Sequence, residues 1–574
     1  MSTTSFGRPR RAPGSSRRSR CSPTSATRTP GRSMATSRSE SAVAPSLHKD
    51  DASGPPFRRV LVANRGEIAV RIIRACHELG TEAVAVYSDA DAAAAHVRLA
   101  DRAVRLGPAS PAESYLRIDA IVEAALASGA EAIHPGYGFL AERAAFARAV
   151  EDAGLVFVGP PSASIEALGD KLHARRTAAA VGVAAVPGTL EPAPLDRPDH
   201  VARIVAEAEE IGFPLLVKAA AGGGGRGMRR VTTASELPAA LVAGSREAAS
   251  AFGDGAVYLE REISPARHIE VQLLGDAAGR VIALGERDCS LQRRHQKLVE
   301  EAPAPGLTEG DRSHLHELAV RVAAAAGLRN AATAEFLRAP DGSFYFLEVN
   351  TRLQVEHGLS ELVTGVDIVR EQLSLAAGRP LSEAALAAAS RAATPAGHAI
   401  EVRISAEDPA ADFAPTPGRV LRWVMPSGPG VRVDTALETG DRVPAEYDNL
   451  IAKVMVHAGT RDTAIDRLRR ALDEVEIAGI QTTLPFHAFV ARAPSFRAAD
   501  LSTGWVGEHW DGPGEQRLAI EAAQLAAGLS AIDAAVAAGG VPAPIPATSP
   551  RTGGSADGRW HRSGLEAAQD RWPR

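Results

Sequence analysis

Thr333-Ala-Glu-Phe-Leu-Arg-Ala-Pro-Asp-Gly-Ser-Phe-Tyr-Phe-Leu-Glu-Val-Asn-Thr-Arg-Leu-Gln-Val-Glu-His357 decides how this chain is read. Thr333–Arg338 and Phe344–Val349 have strand character and flank Asp341-Gly342, a strong two-residue turn signal, so a hairpin is expected. A two-residue turn pairs Pro340 with Ser343, and counting back along both arms sets Glu335 directly opposite Glu348. Their Cβ atoms should then stand about 4.5–5.5 Å apart on one face. Facing carboxylates repel unless something positive lies between them, and magnesium or manganese holding nucleotide phosphates is the natural occupant. If the second arm stays extended, Glu348, Asn350, Arg352, Gln354 and Glu356 share that face, with Leu347, Val349, Leu353 and Val355 on the other. Such alternation is common on solvated strands. The facing Glu335 and the acid–amide–base–amide–acid order favour a functional cluster.

Upstream, Arg287-Asp-Cys-Ser-Leu-Gln-Arg-Arg-His-Gln-Lys297 is dense in donors. In an acidic chain this reads as an anion site rather than a solvated basic surface. Cys289 has no nearby thiol partner and reads as a small packed residue. Earlier still, Lys218-Ala-Ala-Ala-Gly222-Gly223-Gly224-Gly225-Arg-Gly227 lies between two predicted strands, Phe213–Lys218 and Met228–Val231. Consecutive glycines let backbone N–H groups approach phosphate oxygens. There is no G-K-[ST], so this is not a P-loop. Taken alone, a flap closing over a nucleotide and a flexible surface hairpin are equally good readings.

The N-terminal part has a different texture. Arg58–Ala63, Ala83–Tyr87, Ala132–His134 and Leu155–Val158 are short apolar runs, and Glu67–Leu79 has helical periodicity ending at Gly80. The alternation predicts a parallel, doubly wound layer. G-x-G-x-x-G is missing, which leaves a dinucleotide site little support. A helix is expected from about Ser235 to Ser250, another at Thr463–Val475, and an Ala-rich one at Glu515–Ala538.

The 574 residues carry 64 Lys and Arg against 69 Asp and Glu, a formal charge of −5. Ten of those cations but a single carboxylate, Glu40, fall in residues 1–49, so the remainder holds 54 cations against 68 carboxylates. The acidic body weighs against a nucleic-acid binder. No run of 18 apolar residues is present, so no membrane span is expected. Three scattered cysteines suit a reducing, cytoplasmic setting. Residues 1–56 read as a disordered basic leader, or as sequence preceding the true start.

The ordered motifs now carry a specific resemblance. Ala63-Asn-Arg-Gly-Glu-Ile-Ala69, His134-Pro-Gly-Tyr-Gly-Phe-Leu140, Gly169-Asp-Lys171, the glycine loop, Glu286–Lys297, Glu300-Glu-Ala-Pro-Ala-Pro305 and Glu348–His357 occur in that order. The chain resembles the biotin carboxylases of acyl-CoA carboxylases over about Arg58–Trp505. The resemblance implies an α/β (α+β) chain with the ATP-grasp fold. It would comprise a Rossmann-like N-terminal domain at 57–170 and an ATP-grasp domain at 171–380 with a lid at about 190–257. A C-terminal biotin carboxylase domain at 397–506 and a helical, low-complexity tail at 507–574 would follow.

It also implies ATP-dependent carboxylation of biotin. Bicarbonate attacks the γ-phosphate to give carboxyphosphate, which decomposes to CO2 and phosphate; the phosphate takes the biotin N1 proton and the ureido enolate captures CO2. Lys171, Lys218, Gly222–Gly225, His268, Gln292 and His295 match ATP-binding positions, with Glu260, Arg261, Glu262 and Ile263 beside the adenine. Glu335, Glu348 and Asn350 match the metal site, and Lys297, Arg352, Gln354 and Val355 the bicarbonate site. Glu356 matches the base that deprotonates bicarbonate, and Arg403 the group that stabilises the enolate. Lys297, Arg352, Glu356 and Arg403 are thus the expected catalytic set.

Two departures stand out: Ala220-Ala221 replace a usual Ser-Gly, and Gly358 stands where proline is usual. Gly358 leaves room for a urea-carboxylase-like module or another ATP-grasp ligase. The intact catalytic set opposes a regulatory paralogue without chemistry. The methionines are Met1, Met34, Met228, Met425 and Met455, none beside a lysine. With no Met-Lys-Met biotinylation motif, biotin is expected on a separate carrier protein, with a separate carboxyltransferase choosing the acceptor. A homodimer is expected from the family.

Overall fold

A computed structural model describes residues 54–192, 197–220 and 228–537. The leader through Ser53, the glycines Gly222–Gly225 and the tail beyond Ala537 lie outside the described residues. The first sheet contains β1 (Arg59–Val62), β2 (Glu82–Ser88), β3 (Arg102–Gly107), β4 (Ala132–His134) and β5 (Val156–Phe157), parallel in the order β3-β2-β1-β4-β5. Val60, Leu61 and Val62 are wholly buried, as a strand covered on both faces requires. The helix Gly66–Glu78 follows β1, and the chain leaves it through Gly80 at φ 73°. Strand β3, Arg-Ala-Val-Arg-Leu-Gly, escapes the sequence reading because it is an edge strand whose arginines face water.

A small antiparallel sheet follows, made of β6 (Leu215–Ala219), β7 (Arg229–Val231) and β8 (Val257–Arg261) in the order β7-β6-β8, with the helix Leu237–Phe252 beside it. Its core includes Leu215, Val217, Val231, Leu241, Val257 and Leu259.

The main sheet is built from β9 (Arg267–Gly275), β10 (Val281–Arg293), β11 (Gln296–Ala302), β12 (Asn330–Arg338), β13 (Phe344–Asn350) and β14 (His398–Ser405). Its order is β13-β12-β9-β10-β11-β14, extended by strands Leu450–Ala458 and Val431–Thr435, and every pairing is antiparallel. One continuous sheet therefore joins the hairpin of β12 and β13 to the C-terminal strands. Charged residues separated by more than a hundred positions are brought onto neighbouring strands.

Two expectations about the decisive hairpin need correction. The turn has three residues, Pro340-Asp341-Gly342: Ala339 N–H donates to Ser343 O at 2.9 Å and Gly342, at φ 89°, donates to Ala339 O at 3.0 Å. Arg338, Leu337 and Phe336 accordingly face Phe344, Tyr345 and Phe346. A register shift between Phe336 and Glu335 then absorbs the one-residue difference, so Glu335 still faces Glu348. Nor does the second arm stay extended to Glu356. Strand β13 ends at Asn350, and Glu356 is the residue before the helix His357–Thr364. The turn is closed by the His357 ring Nδ1, 2.8 Å from Gln354 O. Among the described residues no strand pairs with the backbone beyond Asn350 to keep it extended.

Candidate active site

The cross-strand registers set four charged side chains in a row. Arg287 of β10 faces Glu270 of β9, Glu270 faces Glu335 of β12, and Glu335 faces Glu348 of β13. Three carboxylates on adjacent strands would repel strongly, and cations intervene. Arg287 donates from Nε to Glu270 Oε1 at 2.5 Å and from NH1 to Gln272 Oε1 at 2.9 Å and Ser360 Oγ at 2.7 Å. Lys297 Nζ, from β11, lies 2.5 Å from Glu270 Oε2, 3.1 Å from Glu335 Oε1 and 2.7 Å from Glu356 Oε1. Lys171 Nζ stands 2.5 Å from Glu348 Oε2.

Arg403 extends the network to β14. Its NH2 is 2.7 Å from Glu356 Oε2, and its Nε donates to Glu300 Oε1 at 2.5 Å. Glu356 is wholly buried between the two cations. Burial alone would raise its proton affinity; Lys297, Arg403 and Arg287 outweigh that and hold the carboxyl well below the usual range. Conversely, burial opposes the charge of Lys297, but Glu270, Glu335 and Glu356 keep the ammonium charged well above its ordinary range. Both groups are therefore ionised at neutral pH.

Around this core, His268 Nε2 lies 2.9 Å from Glu335 Oε2, and Asn350 Nδ2 donates to Glu335 Oε1 at 2.8 Å. Arg352 reaches Gln354 Oε1 at 3.0 Å and Asn350 Oδ1 at 3.3 Å, and pairs with Glu142 at 3.0 Å. The Val355 carbonyl accepts from the buried Lys453 at 2.8 Å. On the small sheet, Lys218 pairs with Glu260, which also takes Arg175 NH1 at 2.6 Å. Burial opposes the Glu260 charge, but Lys218 and Arg175 keep the carboxyl below its usual range. Arg261 N–H donates to Pro187 O at 2.7 Å, Glu262 takes Arg230 Nε at 2.6 Å, and Ile263 follows beyond the end of β8. Gln292 is buried in β10 next to the hairpin tip. There Arg294 and His295 both take positive φ, 49° and 65°, the backbone of a tight two-residue hairpin turn.

Cys289 is fully buried, and burial together with Glu270 pushes its thiol well above its ordinary pKa. Glu270, Cys289 and Glu356 bring three potential ligand atoms within 4.8 Å of one another. Lys297 already lies on both carboxylates, so that cluster is charge-balanced by a side chain. The oxygen-only set of Glu335, Glu348 and Asn350 suits a hard divalent cation better.

Several participants escape the sequence reading as individual residues. Glu270 sits two positions after His268, and with Gln272 the period-two polar pattern inside an apolar strand was the available signal. Glu300 and Tyr137 lie inside motifs that carry the resemblance as whole stretches, with no role attached to any single member. Tyr137 OH donates to Glu67 Oε1, and Glu67 lies 3.2 Å from Lys453 Nζ.

Comparison with known proteins agrees with this architecture. Residues 56–165 match the family described as biotin carboxylase, N-terminal domain. Residues 170–384 match the carbamoyl-phosphate synthase L chain ATP-binding domain, and 401–508 the biotin carboxylase C-terminal domain. A biotin carboxylase of Pseudomonas aeruginosa is 49% identical over 440 residues, covering 77% of this chain and 96% of that one. The biotin-dependent acyl-coenzyme A carboxylase alpha3 subunit of Mycobacterium leprae is 48% identical over 457 residues, covering 79% and 75%. The biotin carboxylase domain dimer of Hydrogenobacter thermophilus 2-oxoglutarate carboxylase, solved with MgADP, ADP and bicarbonate, superposes with a TM-score of 0.74. That structure is 45% identical, with 79% of this chain and 98% of that one covered.

Fold and site together define an ATP-dependent ligase of the ATP-grasp class. The chain belongs to the biotin carboxylase family. Among the described residues no helix is long and apolar enough to cross a membrane.

Proposed function

We propose that this protein carries out the first half-reaction of an acyl-CoA carboxylase, using ATP and bicarbonate to carboxylate biotin held on a separate carrier protein. The supporting observation is Glu356, a buried anion held 2.7 Å from Lys297 on one oxygen and 2.7 Å from Arg403 on the other. Bicarbonate held by Lys297, Arg352, Gln354 and Val355 loses its proton to Glu356 and attacks the γ-phosphorus of ATP, displacing ADP; the carboxyphosphate so formed breaks down to CO2 and a phosphate that takes the biotin N1 proton. A bare Glu356 flanked by two cations is a weak base. A bicarbonate anion against Lys297 shares that cation's field and raises the proton affinity of Glu356. Arg403 then disperses the negative charge that develops at the ureido oxygen of biotin.

Glu335, Glu348 and Asn350 would hold magnesium or manganese, whose charge neutralises the nucleotide phosphates. Lys171, Lys218, His268, Gln292 and His295 contact ATP in this reading, with Glu260–Ile263 beside the adenine, and Gly222–Gly225 count among the ATP-binding positions. The domain division follows the same reading: 57–170, 171–380 with its lid at about 190–257, and 397–506. Partners are a biotin carboxyl carrier protein and a carboxyltransferase, and the enzyme works as a cytoplasmic homodimer.

The M. leprae relative supports an acyl-CoA acceptor; the 2-oxoglutarate carboxylase likeness keeps a keto acid, and Gly358 a urea-type acceptor, as competing outcomes. Bicarbonate- and biotin-dependent ATP hydrolysis tests the reaction, with Glu356→Gln and Arg403→Ala expected to lose it. Full activity in both variants would refute the residue roles. Transfer from the carboxylated carrier to acyl-CoA, urea or keto acids, assayed with the co-purifying carboxyltransferase, decides the acceptor.

A further inference from the structure

Behind Arg403 lie two carboxylates that the reaction above leaves unused. Glu300 of β11 and Glu401 of β14 face each other directly across the antiparallel ladder, and both are 0% exposed. Arg403 engages only one oxygen of Glu300: its Nε and NH2 both lie 2.5 Å from Oε1. Among the described residues, Glu300 Oε2 and both oxygens of Glu401 have no hydrogen-bond partner.

The groups facing Glu401 are few. Across β11 stands Glu300. On the strand Leu450–Ala458, Met455 is directly opposite, with Lys453 and His457 two positions to either side. Arg403 and Ala399 flank it along β14, and Glu356 and Leu359 approach from the start of the helix His357–Thr364. The cations are committed elsewhere: Lys453 Nζ to Val355 O at 2.8 Å, Glu67 at 3.2 Å and Asp434 at 3.6 Å, and Arg403 to Glu300 and Glu356. Burial lowers the basicity of His457. Ala302, Leu359, Ala399 and Met455 form an apolar cluster at this level of the sheet. An ionised Glu401 would be a buried charge that Lys453 and Arg403, both bound to other carboxylates, offset only in part. A neutral carboxylic acid has one O–H to donate, and the acceptor left without a donor across the ladder is Glu300 Oε2.

We propose that Glu401 is a positioning residue, a neutral carboxylic acid whose proton is shared with Glu300, so that Glu300 remains an anion and holds the Arg403 guanidinium against Glu356. Proton affinities agree with this geometry. Burial raises Glu401 well above the usual carboxyl range, whereas Glu300, raised by burial but opposed by Arg403, reaches only about 7. Glu300 therefore stands at the edge of protonation near neutral pH, and the donor across the ladder keeps it ionised. Its catalytic consequence rests on the roles of Arg403 and Glu356 set out above.

The test compares Glu401→Gln, which keeps a donor of the same shape, with Glu401→Leu, which removes it. In the full chain, Glu401→Gln should retain biotin-dependent ATP hydrolysis within about twofold, with the acid limb of the pH–rate profile unmoved. Glu401→Leu should lose about tenfold in kcat at neutral pH, with the acid limb displaced upward by about one pH unit as Glu300 loses its donor. Infrared spectra of the unliganded wild type should show a neutral carboxylic-acid carbonyl band that disappears in Glu401→Gln. An unmoved acid limb in Glu401→Leu, equal damage in both variants, or a band persisting in Glu401→Gln would each overturn the proposal. Should the wild type show no biotin-dependent hydrolysis, the reading of the reaction fails, and the infrared band still decides the shared proton.

Discussion

Lys297 places its ammonium 2.7 Å from Glu356 Oε1, and the same nitrogen is the shared counter-ion of Glu270 and Glu335. Three buried carboxylates thus share one ammonium, each with a second partner: Arg287 on Glu270, His268 on Glu335 and Arg403 on Glu356. Replacing Lys297 with Gln keeps most of the volume and removes the charge. Breaking a buried pair from one side costs about 3–5 kcal/mol, so the variant should unfold at distinctly lower denaturant concentration. Biotin-dependent ATP hydrolysis should fall by at least about a hundredfold, because loss of the cation also moves Glu356 toward its protonated form. A urea titration beside the rate measurement checks both. Unchanged unfolding would mean that the three carboxylates are neutralised by something other than Lys297.

Glu335 and Glu348 face each other, and in the free protein each is held by cations, His268 and Lys297 on one and Lys171 on the other. If a divalent ion joins them when nucleotide binds, MgADP should raise the melting temperature well beyond ADP with a chelator. At a hundredfold excess over Kd, ligand linkage supplies about 2.7 kcal/mol. Glu348→Gln should abolish the magnesium-dependent part of that shift while leaving the melting temperature of the free protein nearly unchanged. A full magnesium-dependent shift in the variant would remove Glu348 from the metal site.

The degree to which the chain could be read from sequence differs by element. Pairs set by strand register were legible: Glu335 faces Glu348 because alternation and a Gly-containing turn constrain which residues meet. A two-residue turn on an unbroken ladder and a three-residue turn followed by a bulge lead to the same pair, because the two one-residue differences cancel. Glu356 was placed on the right wall of the site by an extended strand that ends at Asn350. Its position comes from the turn before the helix His357–Thr364, which period-two counting cannot see. Glu270 and Arg403 converge on the Lys297–Glu356 pair only because the sheet continues from β9 through β11 to β14. That order is a tertiary choice, decided by how whole strands pack rather than by any local pattern. Strand β3 shows the opposite limit, an edge strand with so little burial that it leaves hardly any hydrophobic signature.

Several histidines are buried in the neutral form, among them His134, His96 and His487. Burial lowers His134 to about 3, and lowers His96 and His487 to about 4. Their folded-state values lie below the unfolded value of about 6.5. Between those limits the unfolded chain binds more protons, so stability is complete above about pH 6.5 and declines as the pH falls toward 4. His487 is the informative case, since its Nε2 meets Arg403 O at 2.6 Å and Thr483 Oγ1 at 3.1 Å. His487→Asn should flatten the acid side of the stability profile by roughly 1–3 kcal/mol between pH 7 and pH 4.5. Guanidinium unfolding at a series of pH values checks the slope; an unchanged slope would place the acid sensitivity in other groups.

Gly358 stands in the first turn of the helix His357–Thr364, where a Cβ would fall 2.4 Å from Met455 Sδ and 3.5 Å from Arg432 Cζ. Met455 is wholly buried, directly opposite Glu401, so its sulfur has little room to withdraw. The departure from the family's proline and the bulk of Met455 are therefore two halves of one packing arrangement. Two effects compete in Gly358→Ala: relief of glycine's helix penalty, about 1 kcal/mol, and overpacking against Met455, about 1–3 kcal/mol. Overpacking should win, and the single variant should be less stable than the wild type. Met455→Ala alone opens a cavity and should cost about 2–5 kcal/mol. In the Met455→Ala background the sign of Gly358→Ala should reverse, because the added methyl group enters vacated space and the helix penalty is still relieved. A double-mutant cycle of urea unfolding should then show a coupling of about 1 kcal/mol or more. If Gly358→Ala stabilises the wild type as much as it does the Met455→Ala protein, the two residues do not share this space, and the glycine needs another explanation.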